Sequence, residues 1–98
     1  MADSAIIDPG GRRIRLSDAT WYGHIVKGHP DVALHRPQVE SALTTPITVR
    51  LSTSDADCRL YYGPPQHTGL MMCVVADVVG GFVKTAYWCK RIKPGAIE

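Results

Sequence analysis

The stretch Trp21-Tyr22-Gly23-His24-Ile25-Val26-Lys27-Gly28-His29-Pro30 sets two imidazoles, His24 and His29, around one ammonium, Lys27. Histidine is the side chain best suited to giving and taking protons near neutral pH. A second run, Lys84-Thr85-Ala86-Tyr87-Trp88, offers a cation and two hydroxyls from what reads as a strand. On a strand Thr85 and Tyr87 must share a face, with Lys84 and Trp88 on the other. That combination suits acid–base chemistry at a phosphate. RNA can be cleaved without metal when a base removes the 2′-hydroxyl proton, an acid protonates the departing 5′-oxygen, and cations or hydroxyls stabilise the charge at phosphorus. His24 and His29 are the candidates for proton transfer, and Thr85 and Tyr87 for orienting the phosphate. Lys27, Arg59 and Lys84 would add charge, and Tyr61 a stacking surface.

Several elements must bring these residues together. Ala5-Ile6-Ile7 and Arg13-Ile14-Arg15-Leu16 flank Asp8-Pro9-Gly10-Gly11, whose proline and glycines favour a reversal, so residues 1–16 are expected to form a short hairpin. Ser17 is placed to cap a helix from Asp18 to about Lys27, with Trp21, Tyr22, Ile25 and Val26 as its buried stripe and Gly28 and Pro30 as its stop. Pro37 fits the first turn of a second helix, whose apolar face is Val39, Ala42 and Leu43 and which ends at Thr44-Thr45-Pro46. From Ile47 the pattern turns to strands, Ile47 to Leu51, Cys58 to Tyr62, Leu70 to Val79 and Phe82 to Cys89, with a tight turn at Gly80-Gly81 and an irregular tail after Ile92. The expected fold is α+β: two N-terminal helices packed on one face of a four-stranded antiparallel meander sheet, preceded by a short β-hairpin. Residues 17–45 would be the helical part and 46–98 the sheet and tail of a single domain.

A chain of 98 residues with 45% hydrophobic content suffices for one modest core and no second domain. The net charge of +2 is too small to mark a nucleic-acid binder by itself, so any such surface must come from local clustering. Three cysteines, Cys58, Cys73 and Cys89, with no Cys-x-x-Cys pair, point to reduced thiols and not to a disulfide framework or zinc ribbon. His24 and His29 are five apart, and His35 and His67 lack carboxylates at ligand spacing, so no metal or other cofactor is expected. The start Met1-Ala2-Asp3-Ser4 lacks the basic, apolar pattern of an export signal, and the apolar run Leu70 to Val79 is too short to span a bilayer as a helix. A soluble, cytoplasmic chain without a membrane partner is the expectation.

Each candidate also has a purely structural reading. His24 suits helix-edge packing with a bond to a carbonyl, and His29 a helix-terminal residue meeting the dipole. Tyr61, Tyr62 and Trp88 suit core or edge packing, Thr85 and Tyr87 have ordinary strand propensity, and Lys90, Arg91 and Lys93 suit a solvated face.

Trp21-Tyr22-Gly23-His24-Ile25, His29-Pro30-Asp31, Val39 through Pro46, Tyr61-Tyr62, Cys73-Val74-Val75 and Thr85-Ala86-Tyr87 together resemble the phage and prophage branch of the barnase, EndoU, colicin E5/D and RelE nuclease superfamily, the BECR-like nucleases. The resemblance covers about Trp21 to Gly95. It implies two N-terminal helices, a four-stranded antiparallel sheet and a metal-independent ribonuclease cleft, in toxins, polymorphic-toxin tips and prophage proteins. The motif positions it carries over are His24, His29, Thr85 and Tyr87. The implied activity is that of a toxin-type endoribonuclease that attacks through the 2′-hydroxyl to leave a cyclic phosphate, with RNA as substrate and an antitoxin or immunity protein as partner. Two other readings stand beside it: a catalytically silent phage or mobile-element module gripping a host protein or RNA, and an enzyme acting on a nucleotide. The N-terminal hairpin lies outside the resemblance and offers an edge for partner docking.

Overall fold

The computed structural model describes residues 3–98; Met1 and Ala2, which open both the expected hairpin and the stretch read as lacking an export signal, lie outside the described residues. Ser4–Ile7 (β1) and Arg13–Leu16 (β2) pair antiparallel, with Ile6 opposite Ile14. Gly11 supplies the positive φ, 85°, that closes the turn. Later come Thr48–Leu51 (β3), Cys58–Tyr62 (β4), Met71–Asp77 (β5) and Phe82–Cys89 (β6), each antiparallel to the next. β5 ends earlier than its apolar run suggests, because the Asp77 carboxylate accepts the Val79 and Gly80 amides at 3.0 and 2.8 Å and starts the turn.

The four-stranded antiparallel sheet expected from the sequence is not what forms. β2 joins β6 in parallel, with Arg15 opposite Phe82 and the Arg15 amide donating to the Gly81 carbonyl at 2.9 Å. The result is a mixed, six-stranded sheet in the order β1-β2-β6-β5-β4-β3, in which the hairpin is an integral part. A parallel contact between the two ends of the chain leaves no local pattern in either strand, which is why the hairpin reads as separate.

The helical region lies between β2 and β3. One helix, α1, covers residues 18–28, followed by a 3₁₀ turn at Pro30–Val32 and a second helix, α2, at Arg36–Thr44. The Ser17 hydroxyl accepts the Thr20 amide at 3.1 Å and caps α1. The middle of α1, Trp21–Ile25, is a π turn in which the Val26 amide reaches the Trp21 carbonyl. Trp21 and Ile25 are buried while Tyr22 is 62% exposed, so the expected four-residue stripe is split. In α2, Pro37 sits in the first turn and Val39, Ala42 and Leu43 are fully buried over the sheet. Arg36 fastens the helices to the hairpin: it bonds Asp18 at 2.9 Å and the Leu16 carbonyl at 3.1 Å, and lies over the Trp21 ring.

Strand alternation sorts the sheet into two faces. The helix-covered face holds the main core, including Ile14, Leu16, Tyr61, Met72, Val74 and Val83. The other carries a smaller cluster of Leu60, Tyr62 and Cys73, flanked by Val75, Tyr87, Cys89 and Ile92. The tail is ordered as an edge element: the Leu51 amide donates to the Ala96 carbonyl at 2.8 Å and the Glu98 amide to the Val49 carbonyl at 3.0 Å, covering the outer side of β3. Gly95 permits this approach, since a Cβ there would lie 2.5 Å from the Leu51 carbonyl oxygen. Among the described residues no helix is long and apolar enough to cross a membrane.

Candidate functional site

A cleft arises beside β6 because β2 accompanies it only as far as Arg15 and Phe82. The chain then turns into α1, so the rest of that edge is flanked by the π turn and the 3₁₀ turn instead of a strand. β6 also contains a bulge: Val75 faces Thr85 and Ala76 faces Val83, leaving Lys84 as the extra residue. Simple alternation would send Lys84 and Thr85 to opposite faces, but the bulge lets both line the same cleft. The cleft measures about 420 Å³, and its walls include Thr20 and His24 from α1 as well as Val75, Lys84 and Thr85. A second hollow of about 270 Å³ continues along β6, lined by Ser52, Thr53, Ser54, Thr85, Tyr87 and Lys93. Val75 and Thr85 border both, which joins them into one groove.

His29 lines neither hollow; it stands at the far end of α1 against the ring of Tyr87, with centroids 5.7 Å apart and planes tilted by 33°. The Lys93 ammonium lies 5.0 Å from the centroid of the same ring. The Tyr87 hydroxyl itself is buried and bonds no nitrogen or oxygen, with the weakly polar Cys73 thiol beside it. Burial, and then the neighbouring Cys73 thiol, push this phenol well above its ordinary pKa, so it stays neutral. Tyr87 thus presents a ring to the groove and not the hydroxyl expected from its type. Burial likewise pushes the Cys73 thiol up to about 11 and the Tyr62 phenol up to about 12, leaving no thiolate at neutral pH. Lys84 has one acidic neighbour, Asp55, at 3.6 Å; both side chains are more than two-fifths exposed, so the pair is loose and the ammonium can turn to a ligand.

Three of the anticipated residues lie elsewhere. Tyr61 is fully buried on the helix-covered face and donates to Asp8 at 2.6 Å, so it is no stacking platform. Arg59 shares the Tyr61 face by strand alternation, and its guanidinium bonds Glu98 at 2.7 Å. The turn is completed by Arg12, which donates to Asp8 at 2.8 Å and also bonds Glu98. Lys27 is exposed on α1 and borders neither part of the groove. Conversely, Thr20, the Ser52–Ser54 hydroxyls and Lys93 line the groove although their types suggest only a helix turn, a polar loop and a solvated basic cluster. Nothing local marks them, since each reaches the groove through tertiary packing. Comparison with known proteins returns no match among family models, curated proteins or solved structures.

Proposed function

We propose that this chain is a small, metal-independent endoribonuclease of toxin type. The observation that carries the reading is that the cleft beside β6 is lined by the His24 imidazole, the Lys84 ammonium and the Thr85 hydroxyl, while His29 and Lys93 lie against the ring of Tyr87, where the groove continues. One imidazole takes the proton from a ribose 2′-hydroxyl, whose oxygen then attacks phosphorus. The P–O5′ bond breaks, the second imidazole protonates the leaving 5′-oxygen, and a 2′,3′-cyclic phosphate remains. Lys84, Lys93 and Thr85 stabilise the non-bridging oxygens as charge develops on them. Tyr87 holds the His29 ring by its face and takes no proton. The six-stranded sheet departs from the four-stranded layout that the BECR-like resemblance implies, so the reading rests on the groove and not on the fold. RNA as substrate, an antitoxin or immunity protein as partner and a cytoplasmic site of action belong to the same proposal.

Incubating the purified protein with total RNA in EDTA tests it. Cleavage to products ending in cyclic phosphate is expected, and His24→Ala or His29→Ala should each lower the rate at least a hundredfold, the usual order for a lost acid or base. Both imidazoles stand outside the cores, so circular dichroism spectra should not change. The buried Tyr87 hydroxyl favours a second reading, a catalytically silent module that grips RNA or a host protein through the groove. RNA retained intact at every protein concentration would select that module and overturn the enzyme.

A further inference from the structure

Around the corner of β6 from the groove lies a separate hollow of about 310 Å³, and we infer that it is a nucleobase-binding subsite. Alternation turns Trp88 away from the Tyr87 face. Its indole N–H donates to the Asp31 carbonyl at 3.2 Å, and the His35 ring meets it nearly perpendicular, at 80° and 5.1 Å between centroids. The indole is therefore held in one orientation before anything binds, so a ligand stacking on it pays little for ordering the wall. The facing wall is the loop before β5, which is closed on itself by the Gln66 amide to the Leu70 carbonyl at 2.9 Å and the Gly69 amide to the Gln66 carbonyl at 2.8 Å. Leu70 gives this wall its apolar surface, and Gln66 and His67 its polar one.

The chemistry of the lining selects the ligand. Among the described residues, the Asp31 carboxylate and the His35 and His67 rings make no hydrogen bond or ion pair, and Gln66 uses its side chain only as a donor to Pro64 at 3.1 Å. Acceptors and switchable donors thus surround a flat aromatic wall. No lysine or arginine borders the hollow, and Asp31 would repel an anion, so a free phosphate does not suit it. Asp31, His35 and His67 do not converge on a point as metal ligands would, since no cluster of three such side chains occurs among the described residues. A planar heterocycle carrying ring N–H donors and ring acceptors satisfies both the stacking surface and the unpaired polar groups. The volume, at the small end of the roughly 300–1,000 Å³ usual for ligand pockets, admits one ring system of that size.

The position fits a polynucleotide. His29 touches Tyr87 in the groove and Asp31 holds Trp88 in the hollow, and these two residues are separated only by Pro30. The backbone between them spans at most about 7 Å. A base seated on Trp88 accordingly leaves its ribose and phosphate at the mouth of the groove, beside His29. This deepens the ribonuclease reading and rests on it for the direction of the strand, while occupancy by a base is testable alone.

The test is a titration of the labelled full chain with adenosine, guanosine, cytidine and uridine, followed by proton–nitrogen correlation spectra; ribose 5-phosphate serves as the base-free probe. The two indole N–H signals separate Trp88 from the buried Trp21. The Trp88 indole and Leu70 amide signals should shift saturably with at least one nucleoside and stay fixed with ribose 5-phosphate. Trp88→Ala should weaken binding about tenfold or more. Asp31→Asn and His67→Ala alter exposed side chains and so preserve the fold; each should change the ranking of the four nucleosides. Failure of every nucleoside to move Trp88, in a protein that still cleaves RNA, overturns the subsite and leaves the nuclease standing. Shifts at Trp88 without RNA cleavage overturn the nuclease and leave the subsite.

Discussion

Tyr61 on β4 and Tyr87 on β6 belong to opposite faces of one sheet, and the fold treats their hydroxyls differently. Beneath the helices, the Tyr61 hydroxyl donates to Asp8, which is 3% exposed and also accepts two bonds from Arg12. On the uncovered face the Tyr87 hydroxyl is buried and bonds no nitrogen or oxygen, while the side chains near its ring include Lys93 and His29. Burial raises both phenols, but only Tyr61 returns the desolvation cost as a charge-assisted bond. The covered face has thus satisfied its buried phenol and carboxylate against each other. The open face retains the loosely paired Lys84 ammonium and the His24 and His29 imidazoles, which make no hydrogen bond among the described residues, and that is where a ligand has something to bind.

The contrast can be broken hardest at Asp8. Asp8→Ala strips the Tyr61 hydroxyl of its acceptor and should cost about 3 kcal/mol in chemical denaturation, the order expected when a buried charged network loses its centre. Tyr61→Phe leaves Asp8 still bonded to Arg12 and should cost about 1–2 kcal/mol by the same measurement. An equal loss from Tyr87→Phe would abolish the distinction between the faces. That substitution removes a hydroxyl that bonds no nitrogen or oxygen while keeping the ring against His29, so it should be neutral or stabilising by up to about 1 kcal/mol.

Acid titration sharpens the same point. Burial alone would raise the Asp8 carboxyl, but the bonds from Tyr61 and Arg12 outweigh it and hold the net value below the ordinary carboxylate range; the Arg12 bond holds Glu98 down against its burial, with help from Arg59. Both groups bind fewer protons folded than unfolded. Their contribution is complete above the unfolded carboxylate values, about 4, and is lost as the pH falls through the depressed folded values. Unfolding midpoints should therefore drop with acid below about pH 4, and less steeply in Asp8→Asn. The smallest effect belongs to the groove: Lys84→Gln should change stability by no more than about 0.5 kcal/mol, given how exposed its ion pair is, and on the proposed nuclease reading it should slow RNA cleavage at least tenfold.

Several elements are legible from the residues because their causes are local. Ser17 caps α1 through its own hydroxyl, Pro37 opens α2 without sacrificing a needed amide, and Gly81 adopts the positive φ, 76°, of its turn. The groove is only half legible. His24, His29, Thr85 and Lys84 stand out by type; His24, Lys84 and Thr85 line one cleft, whereas His29 meets β6 only through the Tyr87 ring. Arg59 and Tyr61 are equally suitable by type, yet strand alternation sends both to the other face, where Tyr61 is buried and Arg59 is tied to Glu98. The exposure of Tyr22, the bulge at Lys84 and the burial of the Tyr87 hydroxyl depend on neighbours distant in the chain.

What the residues determine by themselves is the inventory: where helices start, which runs can be strands, and which side chains can move protons. Tertiary structure alone decided that β2 would lie parallel to β6 and that the tail would cover β3. It also decided which face of each strand meets water. The reason is that local bonds and backbone preferences act over a few residues, whereas strand partnership and burial are set by competition among surfaces from the whole chain.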